Sequence, residues 1–269
     1  MKVAMTVAGS DSGAGAGIQA DLKTFSALKV YGTSAITALT AQNTQGVEGV
    51  HLPPPSFVVD QMEAVLRDMK VIAIKTGMLA NENIVEVVAK TCYRWGLSRL
   101  VVDPVMVAKS GDMLLDEGAV ENLKEKLLPL AEVITPNLNE AGVLIQDRVD
   151  TMEKMKEAAR IIHGLGPRYV VIKGGHLEEG EGEKEVVDLI YDGRDFAYSR
   201  MPRVRTTNTH GTGCTYSAAV AAYLARGAET IDAIREAHSY VNQAIKCGQN
   251  PGKGAGPLHH MHPFYREWM

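Results

Sequence analysis

The chain has 269 residues and 45% hydrophobic content, enough for one large α/β domain whose core can hold a pre-formed cleft. Its net charge is −4 with acids and bases interspersed, so it carries no electrostatic footprint for nucleic acid. No apolar run approaches the roughly 20 residues that cross a bilayer, and the short stretch after Lys2 lacks the apolar length of a secretory signal. The three cysteines, Cys92, Cys214 and Cys247, show no CxxC spacing, which suits a reducing cytoplasm.

Taken in chain order, strand-like and helix-like segments alternate. Val3 to Ala8 reads as a strand, and Ile18, Leu22, Phe25 and Leu28 share one face of a helix over Gly17 to Lys29. A second strand is expected at Thr33 to Ala41. The three prolines at 53 to 55 break the chain, and Ser56 is expected to N-cap a helix over Phe57 to Met69. Apolar, β-branched runs predict strands at Ala73 to Thr76, Leu100 to Asp103, Val133 to Thr135 and Tyr169 to Lys173. Helices are expected over Ile84 to Trp95, Glu117 to Leu127, Met152 to Leu165 and Thr215 to Arg226. Leu177 to Glu185, acidic and almost without apolar residues, reads as a solvated hairpin or crossover loop. The alternation predicts a mostly parallel sheet with helices on both faces, in a single domain. His259, His260 and His262 lack acidic or cysteine neighbours and read as a polar turn.

The most informative segment is Asn208-Thr209-His210-Gly211-Thr212-Gly213-Cys214, directly before an alanine-rich helix. Its glycines allow a tight turn, and the N–H groups of Gly211, Gly213 and Cys214 would point from a helix N-terminus at an anion. Phosphoryl transfer needs donors placed in this way. A thiol at that position is expected to have a lowered pKa.

The loop Gly9 to Asp21 has glycines at 13, 15 and 17, which do not meet the dinucleotide-binding Gly-x-Gly-x-x-Gly spacing. It suits close approach of backbone to a flat ligand, with Asp21 either accepting from an amine or placed by the helix dipole. Gln42 ends the second strand and offers both a donor and an acceptor. Met78 follows Lys75-Thr76-Gly77 and can pack on a ring or simply in the core. Asp103 ends another strand. Asn137 and Glu140 lie three apart at a helix start, where they can hold Mg²⁺ beside phosphates or form a capping box. Lys173, before Gly174-Gly175-His176, can reach a phosphoryl group.

Together these motifs resemble, in order and over nearly the full length, the hydroxymethylpyrimidine/phosphomethylpyrimidine kinases of the ribokinase superfamily. The resemblance implies a ribokinase-like three-layer αβα sandwich, use of ATP and Mg²⁺, and two successive phosphorylations of an aminopyrimidine in thiamine biosynthesis. It implies catalytic parts for Cys214, Lys173, Gly211 and Gly213, and substrate contacts from Gly9, Asp21, Gln42 and Met78. Asp103, Asn137 and Thr212 would serve the nucleotide phosphates, and Glu140 the metal. Cys214 stands where the superfamily usually has an aspartate base. Ala14 stands where the branch usually has glycine. A cytoplasmic homodimer without nucleic-acid or membrane partners is implied, and Asn43 to Pro55 is a candidate lid. The competing readings are a pyridoxine or pyridoxal kinase, a hydrolase using Cys214 with His210 or His176, and a non-catalytic binding protein.

Overall fold

A computed structural model describes residues 1–106, 117–175 and 184–265. Its centre is a nine-stranded sheet in the order β3-β2-β1-β4-β5-β6-β7-β8-β9. The strands are β1 (Val3–Asp11), β2 (Tyr31–Gln42), β3 (Val47–His51), β4 (Val71–Thr76), β5 (Leu100–Val102), β6 (Val133–Ile134), β7 (Tyr169–Ile172), β8 (Glu185–Tyr191) and β9 (Phe196–Pro202). Every pairing from β2 through β7 is parallel, while β3 and the β8–β9 hairpin add antiparallel margins. The central strands are buried on both faces, which is why they read as continuous apolar runs without alternation.

Two apolar clusters hold the helices to the sheet. One face carries α2 (Pro55–Asp68), α3 (Glu82–Arg94), α4 (Glu117–Asn122), α5 (Leu138–Ile145) and α6 (Met152–His163), joined through residues such as Met62, Val88, Leu127 and Ile162. The other carries α1 (Gly17–Ala27), α7 (Thr212–Arg226) and α8 (Thr230–Lys246), joined through Phe25, Val101, Val220 and Ile234. In α7, Ala218, Ala219, Ala221, Ala222 and Ala225 are all buried. Their small side chains let this helix lie close to the sheet, which fixes its N-terminus over the strand ends. The result is the expected three-layer αβα architecture.

Several local expectations need correction. Ser56 is not the N-cap of α2: Pro54 takes that position and Pro55 starts the helix. A proline at the first position has no N–H to leave unpaired and its φ is already helical, so the break and the helix start coincide. The segment Asn43 to Pro55 is not a plain loop, because β3 within it pairs with β2. The helix expected to run to Leu127 ends as α at Asn122 and continues as a π-turn over Leu123–Leu127. The loop expected at Leu177 to Glu185 falls largely outside the described residues, as does His176. The hairpin β8–β9 and helix α8 had no counterpart among the predicted elements.

Candidate active site

The parallel strands end on one side of the sheet, and there a cleft of about 690 Å³ opens beneath the N-terminus of α7. Ligands bind at such strand ends because loops and helix N-termini converge there. Gly9, Gln42, Met78, Asp103, Asn137, Glu140, Lys173, Gly211, Thr212, Gly213 and Cys214 all line this cleft. Asp21, alone among the candidate residues, does not.

The first wall is the loop after β1. Asp11, which the sequence reading passed over, organises it. Its Oδ1 accepts from Gly13 N–H (2.8 Å), and its Oδ2 from Gly15 N–H (3.1 Å) and Ala16 N–H (2.8 Å). Burial alone would raise this carboxyl, but His210 and the Ala16 and Gly13 amides outweigh it and hold it below its ordinary range. His210 Nε2 lies 2.9 Å from Asp11 Oδ2, so the carboxylate also ties this loop to the turn before α7. An aspartate followed at two and four residues by glycine was the available signal. Ala14, where the resembled branch has glycine, sits at φ 59°. An alanine there carries strain of about 1 kcal/mol.

The anion turn is packed against this loop. Gly211 is the N-cap of α7 with φ 82°, and a Cβ on it would stand 1.9 Å from the Gly15 carbonyl oxygen. Only glycine satisfies both demands. Behind the turn, His210 N–H donates to the Gly256 carbonyl (3.0 Å), and His260 Nε2 lies 3.0 Å from Thr215 Oγ1. The histidine-rich tail therefore buttresses the turn.

Cys214 lies in the first turn of α7, half-buried. Its expected low pKa is reversed. Burial pushes the thiol up to about 11, and the opposing charge of Lys75 and the N–H of Gly17 only limit the rise. The helix dipole acts, but removal of the sulfur from water is the larger effect. Alkylation by iodoacetamide, followed by peptide mass mapping, should modify Cys214 at pH 8 about a hundredfold more slowly than an ordinary thiol. The rate should rise roughly tenfold per pH unit to pH 10. Ordinary reactivity at pH 8 would show a thiolate instead.

Opposite the turn, β5, β6 and β7 present a charged cluster. Lys173 Nζ is 3.2 Å from Asp103 Oδ1 and 4.0 Å from Glu140 Oε2. Its ammonium is also 3.2 Å from where a Gly213 Cβ would be, so it stands directly under the turn. Burial works against this charge, but Asp103 and Glu140 override it and raise the Lys173 pKa. Asp103 is buried and further accepts from Ser217 Oγ (3.1 Å) and Thr135 Oγ1 (3.3 Å). Asn137 and Glu140 form a complete capping box: Asn137 Oδ1 accepts from Glu140 N–H (2.9 Å), and Glu140 Oε2 from Asn137 N–H (2.7 Å). Burial pushes Glu140 up to about 7, against the pull of Lys173.

At the other end, Gly9 and Met78 are adjacent, and Gln42 lines the same cleft nearer His210. A Cβ on Gly9 would approach Met78 Sδ to 3.2 Å, so the bare backbone leaves room beside the thioether. Gln42 Oε1 accepts from Thr40 Oγ1 (3.1 Å), and its Nε2 is 3.5 Å from His210 Nε2. Asp21 differs from its expected place. It is fully buried beneath the cleft, bound by Lys75 Nζ at 2.8 and 3.0 Å and by Thr6 Oγ1 at 2.6 Å. A helix-turn residue that faces the sheet cannot also face the ligand. Lys75, reached through Asp21, lines the cleft in its stead.

The phosphomethylpyrimidine kinase family model matches residues 11–259. The chain belongs to this family. The "Hydroxymethylpyrimidine/phosphomethylpyrimidine kinase" of Rhizobium meliloti is 47% identical over 98% of the chain and 99% of that protein. The thiamine biosynthesis bifunctional protein of Geobacter sulfurreducens is 52% identical over 96% of the chain but 52% of its own length. The chain thus spans about half of such bifunctional relatives. Among solved structures, the ADP complex of Bacillus subtilis pyridoxal kinase superposes with a TM-score of 0.88, at 41% identity over 97% of both chains. The fold is therefore shared with a kinase named for pyridoxal as well as with kinases named for the pyrimidine. Among the described residues, no helix is long and apolar enough to cross a membrane.

Proposed function

We propose that the chain, acting as one kinase domain, uses ATP to phosphorylate 4-amino-5-hydroxymethyl-2-methylpyrimidine and then its monophosphate, in thiamine biosynthesis. The observation that carries this reading is the place of the Gly211–Cys214 turn. It faces Lys173 on one side and the Gly9–Gln42–Met78 end of the same cleft on the other. A phosphoryl group lying there meets N–H donors and an ammonium, while a flat acceptor fits against the thioether and the glutamine amide.

The roles follow from the contacts. The N–H groups of Gly211, Gly213 and Cys214 would cradle the moving phosphoryl group, with Thr212 holding the turn through its bonds to the Thr209 carbonyl, and Lys173 offsets the charge. Asp103 has no donor for a phosphate; it acts by holding Lys173 and Ser217 in place. Gln42 reads the edge of the pyrimidine. Among the described residues no group of three acidic, histidine or cysteine side chains forms a metal cage. The site suits a Mg²⁺ that arrives with the nucleotide, keeps its waters and takes Glu140 as its protein carboxylate. Bound there, the ion would neutralise phosphate charge.

A neutral thiol at Cys214 suits both acceptors. A loose transition state asks little of a base, and a monophosphate acceptor is repelled by a fixed carboxylate but not by a thiol. ADP release should be measured with the pyrimidine, its monophosphate, pyridoxal and no acceptor. Turnover of both pyrimidine forms above pyridoxal is expected. Cys214→Asp should slow the second step more than the first, by about tenfold. Equal losses in both steps would overturn the role of Cys214, and turnover of pyridoxal alone would overturn the pyrimidine assignment.

A homodimer is part of the same reading. Leu39, Val50, Leu52 and Phe57 are exposed on and beside the β3 margin, where an uncovered strand edge invites pairing. Sedimentation velocity should give twice the monomer mass; a monomer at micromolar concentration would refute it.

A further inference from the structure

Lys173 reaches the anion turn from the end of β7, and the two residues that follow it are glycines, which give the backbone no side chain to lock it. Packing does not hold this strand end either: among the described residues, a Cβ on Gly175 would meet nothing within 4 Å. Side chains hold it instead. The β7–β8 ladder stops at the pair Ile172 and Leu189. The next residue of β8, Asp188, takes over with its carboxylate, whose Oδ1 accepts from the Gly174 N–H at 3.0 Å. Arg203 Nη1 donates to the Gly175 carbonyl at 2.9 Å. Asp188 is 2% exposed and interrupts the apolar stretch from Val186 to Tyr191, where an aliphatic side chain would cost less to bury. Its Oδ2 lies 3.4 Å from His238 Nδ1, which is 2.8 Å from Oγ of Ser199, the residue opposite Asp188 on β9. Burial pushes the carboxyl up, against the pull of His238 and the Gly174 N–H. The Tyr216 ring of α7 packs edge-on to His238, with centroids 6.1 Å apart, and closes the cluster toward the anion helix.

We infer that Asp188 is a positioning residue for phosphoryl transfer: by holding the Gly174 N–H it fixes the strand end from which Lys173 reaches under the anion turn. The inference rests on the kinase reading of the cleft but not on which acceptor is used, since Lys173 serves the phosphoryl group common to all. Asp103 and Glu140 restrain the Lys173 ammonium at its tip, and Asp188 restrains the backbone at its root. The flexible four-carbon stem between them carries any backbone shift to the charge. A misplacement of about 1 Å in a group that meets the reacting atoms can cost about a hundredfold in rate. The Lys173 charge matters most as charge develops on the transferring group, so the loss falls on kcat. His238 and Ser199 keep the carboxylate from turning away from Gly174.

The test is ADP release with Mg-ATP and hydroxymethylpyrimidine, or pyridoxal should the native protein prefer it. Asp188→Leu, close in size but without an acceptor, should lower kcat about ten- to a hundredfold while the KM for ATP moves by less than about threefold. Asp188→Asn, which keeps Oδ1, should restore the rate to within about threefold of native. The deciding comparison is made in Lys173→Met. In that background Asp188→Leu should lower kcat by less than about twofold further, because its effect runs through the missing ammonium, whereas a merely structural role would cost as much as in the native protein. Should the leucine variant fail to fold, as judged by circular dichroism, Asp188→Ala carries the same comparison. A kcat loss under about threefold in the leucine or alanine variant, an equal loss in Asp188→Asn, or an undiminished loss in the Lys173→Met background would each overturn the assignment and leave the kinase reading intact. No acceptor-dependent ADP release by the native protein would overturn both together.

Discussion

Lys75→Met should destabilise the protein by about 3–5 kcal/mol, measured as a lower urea midpoint at unchanged slope. Lys75 and Asp21 are both 0% exposed at the side chain and pair at 2.8 Å. Burial favours the neutral forms, raising Asp21 and working to lower Lys75; the Asp21 charge overrides this for Lys75, whose pKa is raised. Removing the ammonium leaves a buried carboxylate with only the Thr6 hydroxyl to receive. Removing both charges should cost far less, so Lys75→Met with Asp21→Leu should recover most of the lost stability. A single substitution costing under about 1 kcal/mol would show that water reaches Asp21. The pair joins β4 to α1 beneath the cleft, and it sets the charge that Cys214 experiences. Lys75 is thus a positioning residue for the site as well as a structural one.

Lys173→Met should lower kcat by about a hundred- to a thousandfold while the KM for ATP changes by much less. The ammonium stands under the Gly213 turn, held by Asp103, and its effect should grow as charge develops on the transferring group. Ground-state phosphate is already met by the turn amides, which is why the loss should fall mainly on kcat. The circular dichroism spectrum should be unchanged, because Asp103 keeps its Ser217 and Thr135 partners. A loss below tenfold, or one confined to KM, would move Lys173 from transition-state stabilisation to simple binding.

Much of the architecture was legible because it rests on local periodicity and composition. The buried parallel strands announce themselves as apolar runs, and α7 as an alanine-rich stretch behind two glycines. The capping box of Asn137 and Glu140 is a spacing of three residues, so it could be read before any fold was known. The β8–β9 hairpin was not legible. The apolar run of Glu185–Tyr191 is interrupted by the buried Asp188, which accepts from the Gly174 N–H, and Phe196–Pro202 mixes polar and apolar positions as a sheet margin does.

The sequence by itself determined the order of motifs, the glycine turn before α7 and the residue types that meet a phosphate, because backbone freedom and charge belong to each residue. The tertiary structure decided how those residues are used. It turned Asp21 inward onto Lys75 and brought Asp11 and His210 together across 199 positions. It also raised the Cys214 thiol that its helix position alone would lower. Each of these depends on which side chains share a buried space and how much water reaches them, and distance along the chain carries no record of either.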